Sequence, residues 1–344
     1  PDWTQHLPLT ETTIARLLKG VGYATCHIGK WHLGSERFHP DKHGFDHNIG
    51  GTHRGGPRSY FSPYRNPNLK DGPRGEYLTD REAIEACHFI EKNKNRPFFL
   101  YLPHYAVHTP IQGKKKLTEK YQKKIKPGMK QKNATYAAMV ESVDDAMGKI
   151  RAKLKSTGVA DRTVIIFTSD NGGQILRRPK LPPTDNTPLR AGKGSTYEGG
   201  VRVPWIVYWP GVTPKGKVCT EPIITMDCFP TILEIANVQS KLKHDGVSLG
   251  SLFKDPSAKL KRESIFWHFP HYHPGGATPY SAIRSGDWKL IEFFEDDHVE
   301  LYNLKSDLSE KTDLSKKMPM KAKQLQAKLR RWRKSVGAQM PVLR

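Results

Sequence analysis

Thr163-Val164-Ile165-Ile166-Phe167-Thr168-Ser169-Asp170-Asn171-Gly172-Gly173 runs from a short apolar stretch straight into a knot of polar oxygens on a glycine turn. Val164 to Phe167 is β-branched or aromatic throughout and too short for a helix, so it reads as a buried strand. Open α/β sheets build their sites just beyond the carboxyl ends of such strands. Asp170 and Asn171 offer the hard oxygens that calcium or magnesium prefers, and Gly172-Gly173 permits the turn that brings both to one point. An Asx turn accounts for the same letters.

Outward from this stretch the chain alternates. A helix over 134–156 places Ala137, Val140, Met147, Ile150 and Leu154 near one face. Before it, a helix over 80–93 leads into Pro97–Leu102, an apolar run expected of a parallel strand covered on both faces. Earlier still, Thr10 is placed to cap a helix over 11–19, followed by a strand from Tyr23 to Ile28. Downstream, Trp205–Trp209 repeats the buried-strand pattern and Asp227 is placed to cap a helix reaching Ala236. Residues 1–255 therefore read as an α/β domain with a mainly parallel central sheet flanked by helices. From 256 to 344 the grammar changes. Ser264–Phe269, Tyr280–Arg284, Trp288–Phe294 and Val299–Tyr302 are short strands between Gly, Asp and Pro turns, and a basic amphipathic helix follows over 318–334. That is a small antiparallel sheet with one helix.

The composition, 36% hydrophobic and 26% charged, is that of a globular protein, and no apolar stretch reaches the roughly 18 residues of a membrane span. A net charge of +22 favours anionic partners. The lysine-rich stretches at 114–116, 120–132 and 316–334 carry much of it, and each also reads as a solvated face. They lack interleaved aromatics, and no recognition motif is present, which excludes a nucleic-acid reader. Cys26, Cys87, Cys219 and Cys228 are scattered without a CxxC pair, so they form neither a zinc pattern nor a disulfide framework. Pro1 to His6 has neither an initiator Met nor the signature of a signal peptide, and the chain reads as cut at the front.

Other segments place polar groups after strands. Gly29-Lys30-Trp31-His32 puts a Lys and a His on a Gly-flanked turn where both can face one oxyanion; a surface Lys and a packed His give the same letters. His104 and His108 follow the strand at 98–102, and either is a candidate general acid or a structural imidazole. Arg190 to Pro204 adds Lys193 between glycines, with Glu198 and Arg202 expected as an ion pair beneath the site. It does not match a nucleotide P-loop. The Gly/Pro/Arg-rich loop at 50–75, the stretch at 113–132 and His268–His273 are expected rim elements; the three histidines of the last also raise a metal as an alternative to packing.

Gly22-Tyr23-x-Thr25-x-x-Ile28-Gly29-Lys30-Trp31-His32 resembles the second signature of the type I, formylglycine-dependent sulfatases. Ala106-Val107-His108-Thr109-Pro110, Ser169–Gly173 and Gly192–Pro204 resemble later motifs of that family, in the same order, and Tyr280–Ile291 and Glu300–Leu304 are typical of its C-terminal part. The resemblance implies an alkaline-phosphatase-like α/β sandwich and a calcium-dependent sulfuric ester hydrolase acting on a sulfated carbohydrate or aryl sulfate. It implies Asp170 and Asn171 as Ca2+ ligands, Lys30 and Lys193 as holders of the sulfate oxygens, His32 as a contact of the nucleophile and His108 as a sulfate contact and proton donor to the leaving alcohol. Family members acting on carbohydrates are usually exported, which implies a periplasmic or secreted protein.

One departure accompanies these matches. The family's nucleophile is a formylglycine made from Cys or Ser in a Cys/Ser-x-Pro/Ala-x-Arg motif, and none of the four cysteines has that context. That motif and two further calcium-binding Asp residues are expected upstream of Pro1, so the chain alone is expected to be inactive. A non-catalytic sulfated-glycan-binding protein and a related phosphodiesterase or phosphonate hydrolase are the alternatives.

Overall fold

The computed structural model describes residues 1–176 and 182–342. Strand β1 (Ala24–Ile28), buried at every position, is the centre of a parallel three-stranded sheet, with β2 (His47–Ile49) on one side and β3 (Phe98–Tyr101) on the other. Helices cover both faces. Ala86, Phe89 and Ile90 of α2 (Leu78–Asn93) and Ile150 and Leu154 of α4 (Ala134–Ser156) pack on Ala24, Cys26 and Ile28. On the opposite face α1 (Ile14–Gly20) brings Ala15 against Trp31 and Phe45. Burying each large side chain of this kind contributes about 1.5–3 kcal/mol, which makes the crossed helices the main support of β1. A short helix α3 (Lys115–Gln122) packs on α4 with no buried residue of its own.

Strand β4 (Ile165–Thr168) pairs with β5 (Trp205–Tyr208) in a second sheet, after the short helix α5 (Glu198–Val201). Helices α6 (Cys228–Ile235) and α7 (Gly250–Lys254) follow. The C-terminal sheet is a four-stranded antiparallel meander, β6 (Ile265–Phe269), β7 (Tyr280–Ser285), β8 (Trp288–Phe293) and β9 (Val299–Asn303). Its two faces alternate with the pleat. Ile283, Leu290 and Leu301 pack on α8 (Pro319–Ser335), while Ala282, Ile291 and Tyr302 face Tyr197. Among the described residues no helix is long and apolar enough to cross a membrane.

The α/β class, the parallel sheet and the antiparallel meander with its helix are as read from the sequence. Several details differ. Helix α1 is capped by Thr13, whose Oγ1 accepts from Arg16 N, and not by Thr10. The buried stripe of α4 is Ala138, Met139, Ser142, Ala146, Ile150 and Leu154, whereas Val140 is exposed. Small residues let α2 approach, a requirement that counting large apolar side chains overlooks. Strand β3 is only half-covered, with Tyr101 exposed, and β5 is antiparallel with Ile206 and Tyr208 exposed, so neither is buried on both faces. Asp227 precedes α6 but makes no capping bond to it; its carboxylate accepts from Ile224 N and Val247 N and pairs with Arg262 at 2.6 Å.

Candidate active site

Beyond the end of β1 the chain threads between its neighbours. Gly29 N donates to Ile49 O at 2.8 Å and Lys30 N to Pro103 O at 2.8 Å. Gly29 has φ +111, and a Cβ there would run into the Pro103 carbonyl, so both the backbone angle and the space require glycine. Beneath it, the fully buried His27 donates from Nε2 to Lys30 O at 3.1 Å, which fixes the turn from below. Burial depresses the His27 pKa to about 4, so this imidazole is a neutral structural element. His32, in the left-handed region at φ 59, donates its N–H to Thr52 O at 2.9 Å.

The long loop that begins at Gly50 is an ordered strap. Tyr60, with no solvent exposure, lies 2.7 Å from Tyr105 O and 2.9 Å from His108 O through its hydroxyl, and Tyr77 Oη donates to Gln112 O at 2.7 Å. Two consecutive glycines of the strap face the two histidines. A Cβ on Gly55 would sit 2.6 Å from His32 Cε1, and one on Gly56 would sit 3.1 Å from His108 Nδ1. His108 donates from Nδ1 to Thr109 O at 3.0 Å, since a carbonyl can only accept, leaving Nε2 to exchange a proton. Of the two candidate histidines, His104 is committed elsewhere, with Nδ1 2.6 Å from Glu82 Oε2. Arg54, Arg58 and Arg65 line a shallow cleft on the same strap that no carboxylate lines.

Beyond β4, the exposed Asp170 carboxylate accepts from Asn171 Nδ2 at 2.6 Å. Gly172 N donates to Gly200 O at 2.9 Å, and a Cβ on Gly172 would overlap the Gly199 carbonyl oxygen. Lys193 N donates to Gly173 O at 3.1 Å, and Asn186 Nδ2 bridges Gly173 O and Ala191 O. The glycines at 172–173 and 199–200 thus let two loops mesh backbone to backbone, with Lys193 hung beside Asp170.

Electrostatics ties the four segments together. Burial, then the Lys193 ammonium, lowers the Lys30 pKa, with Asp170 acting in the opposite direction. Burial followed by Lys30, His108, Lys193 and His53 lowers that of His32. Burial also lowers His108, with Lys193 and Lys30 adding to it while the bond to Thr109 O and the Asp170 charge oppose. Lys30 therefore senses the charges of Lys193 and Asp170, His32 those of Lys30, His108 and Lys193, and His108 those of Lys193, Lys30 and Asp170, which makes a partly open, cation-rich site, with Asn171 bonded to Asp170. Such a site favours an incoming anion, which relieves the repulsion among its own cations.

The Lys193 segment is anchored from far along the chain. Glu198 Oε1 lies 2.9 Å from Lys289 Nζ on β8, and Lys289 lies 2.9 Å from Glu310 Oε1, with all three side chains excluded from solvent. Arg202, the partner expected from the sequence, is at 3.5 Å and half-exposed. Arg190 donates to Tyr302 Oη and Glu310 O, both at 2.8 Å. Lys289 and Tyr302 fall within the stretches typical of the family's C-terminal part, but nothing in the sequence tied them to Glu198 or Arg190. His268–His273 does not gather into a metal site. His268 bonds Ser281 Oγ and Gln339 O, His271 stacks on Trp3, and His273 Nδ1 accepts from Gly275 N. Among the described residues no three His, Cys, Asp or Glu side chains converge to hold a metal.

A cation-rich cluster just beyond the ends of β1, β3 and β4 lies where open α/β folds place their ligand sites. The family profile described as Sulfatase matches residues 1–238, and that described as N-sulphoglucosamine sulphohydrolase, C-terminal, matches residues 192–335. The chain belongs to the sulfatase family. It is 37% identical to a sulfatase of Formosa agariphila, over 78% of this chain and 52% of that one. It is 34% identical to the N-acetylgalactosamine-6-sulfatase of Homo sapiens, over 71% of this chain and 48% of that one. The chain thus spans about half the length of these relatives. The crystal structure of Ps i-CgsB in complex with k-i-k-neocarrahexaose superimposes with a TM-score of 0.78 at 31% identity, covering 96% of this chain and 76% of that one.

Proposed function

We propose that the full-length protein hydrolyses sulfate esters of a carbohydrate, releasing inorganic sulfate, with the site assembled by this chain as its anion-holding part. The observation that carries this reading is that three separate segments bring the Lys30–His32 turn, His108 and Lys193 within reach of one another's charge, with Asp170 acting on Lys30 and His108. Lys30 and Lys193 neutralise the oxygens of the sulfuryl group as charge builds on them. His108 holds a proton on Nε2 once an anion offsets the two ammonium groups, and delivers it to the alcohol oxygen as the S–O bond breaks with its electron pair. His32 orients the attacking hydroxyl.

No thiol of the described core is poised as the nucleophile. Burial pushes Cys26 up to about 12 and Cys228 up to about 11, and it raises Cys87 as well. A formylglycine outside these 344 residues is the proposed attacking group. Asp170 and Asn171 fit calcium as a partial oxygen set: Asn171 Nδ2 is turned to Asp170 Oδ1, leaving its own carbonyl oxygen and Asp170 Oδ2 as hard donors. When bound there, calcium would add positive charge beside the sulfuryl oxygens. Export to the periplasm or the medium is proposed on family grounds, and fractionation of the native cells tests it.

Incubation with a panel of sulfated mono- and oligosaccharides, aryl sulfates and matched phosphate esters, with sulfate and phosphate read by ion chromatography, tests the activity. Sulfate release from a sugar is expected. Absence of release across the panel sinks the enzyme reading, binding without release points to a glycan-binding protein, and release of phosphate alone points to a phosphoesterase.

A further inference from the structure

Glu82 takes no part in the chemistry proposed so far, yet it is 1% exposed, among the buried Leu78, Ala83 and Ala86 of α2. An acidic side chain is almost never buried to that extent without a partner. Its Oε2 accepts from His104 Nδ1 at 2.6 Å, while Oε1 finds no partner among the described residues. A carboxylate can only accept, so the proton of this bond belongs to the imidazole. The second oxygen is turned to the Lys30 segment, since a Cβ on Gly29 would sit 3.3 Å from Glu82 Oε1.

His104 is the middle residue of a run from which two of the site's segments hang. On one side of it, Pro103 O accepts the Lys30 N–H at 2.8 Å. On the other, Tyr105 O accepts the His108 N–H at 3.0 Å and the Tyr60 hydroxyl at 2.7 Å. Tyr105 also reaches Gly50 O through its own hydroxyl at 2.9 Å, where the strap begins. Burial, and then the Glu82 charge, push up the Tyr60 hydroxyl, so the carboxylate stands close to the ring that grips His108 as well. Consecutive Cα atoms are about 3.8 Å apart, so a shift of His104 carries both of its neighbours with it. The Lys193 N–H, by contrast, is held by Gly173 O at 3.1 Å on a different loop.

We propose that Glu82 and His104 form a positioning pair, which sets Lys30 and His108 relative to one another by fixing the peptide run from Pro103 to Tyr105. The inference rests on the anion-holding role given to those two residues above. Its test is residue-resolved amide hydrogen exchange on the full-length protein, with calorimetric titration of inorganic sulfate beside it. Two apolar replacements, Glu82→Leu/His104→Leu and Glu82→Met/His104→Phe, remove the tie without leaving a buried group unpaired. In them, exchange at the Lys30 and His108 amides quickens by about tenfold or more, whereas exchange at the Lys193 amide stays within about twofold of wild type. Sulfate binds roughly tenfold more weakly, as loss of coupling within one hydrogen-bonded network predicts. Glu82→Gln, whose amide oxygen still accepts from His104 Nδ1, keeps both readouts near wild type. Quickening at all three amides alike marks a general loss of stability and overturns the role. So does wild-type sulfate affinity, or unaltered protection of Lys30 and His108, in a folded apolar pair, and so does a Glu82→Gln protein as impaired as those pairs. Wild-type protein that takes up no sulfate overturns the anion-holding reading and this role with it, even where exchange behaves as expected.

Discussion

The hydroxyl of Tyr60 stands 2.9 Å from the carbonyl oxygen of His108, reaching it from a ring with no solvent exposure. The strap therefore grips the backbone of the residue proposed as proton donor. Tyr60→Phe takes the hydroxyl donor from the His108 carbonyl, while Tyr105 O keeps the His108 N–H at 3.0 Å. Chemical denaturation should register a loss of about 1–3 kcal/mol. Turnover should fall by about ten- to a hundredfold through misplacement of the imidazole, with KM little changed. A variant with wild-type kcat contradicts a positioning role for Tyr60.

Lys289 is the buried counter-charge of two carboxylates. Its environment holds Glu198 below the ordinary Glu range, whereas burial raises Glu310 against the pull of Lys289. Lys289→Met takes from Glu198 its only buried counter-charge and leaves it Arg202 at 3.5 Å and Arg284 at 3.9 Å, and removal of one partner of a buried pair costs about 3–5 kcal/mol. A Glu198→Gln/Lys289→Met double variant should recover part of that loss, as urea unfolding of both proteins will show.

Anion affinity should depend on pH through the two histidines. Both have depressed pKa values, so near neutrality they are uncharged in the empty site, and a bound sulfate favours their protonated forms. Binding then takes up protons, and affinity for inorganic sulfate rises as pH falls below the ordinary His value. Calorimetry in buffers of differing ionisation enthalpy measures the proton uptake, which should shrink in His108→Gln.

His27 sets a separate dependence, on stability. Its folded pKa of about 4 lies below the unfolded 6.5, so the unfolded chain binds the extra proton between those values. Its contribution is fully present above pH 6.5 and lost as pH falls toward 4, on the order of 3 kcal/mol in total. Unfolding free energy measured across that window should be less steep in a His27→Asn protein.

Gly172→Ala places a methyl group on the Gly199 carbonyl oxygen, where only backbone could yield. Loss of the Gly172 N to Gly200 O bond would part the Asp170 loop from the Lys193 loop. Sulfate affinity should drop at least about tenfold, together with a clear fall in melting temperature. Gly75→Ala is the control for glycine substitution at large, because open space surrounds a Cβ there, though φ +86 carries its own strain.

What the sequence disclosed was local chemistry at strand ends. Lys30, His32, His108 and Asp170 lie next to a glycine or proline turn after an apolar run, Lys193 lies between glycines, and their charges act on one another in the structure. The C-terminal meander was legible from its period and the other strands from their apolar runs, but β4, read as buried, is only partly covered. Strand β2 escaped because three residues, one of them the exposed His47, carry no pattern, and it is held by β1 alone. Strand β5 looked buried because Trp, Ile, Val and Tyr are apolar whether or not they are covered. Partners such as Lys289, Glu310 and Tyr60 were invisible for a simple reason: their meaning depends on which distant residue they meet.

The tie between Glu198 and Lys289 spans 91 positions. During synthesis at ordinary speeds, roughly 5–18 s separate the appearance of the two residues. For that interval the loop carrying Lys193 is held by the Asp170 loop but lacks its tie to β8. Completion of the Lys193 loop thereby waits on the carboxyl-terminal meander, which makes the last-made sheet the timer of the proposed site.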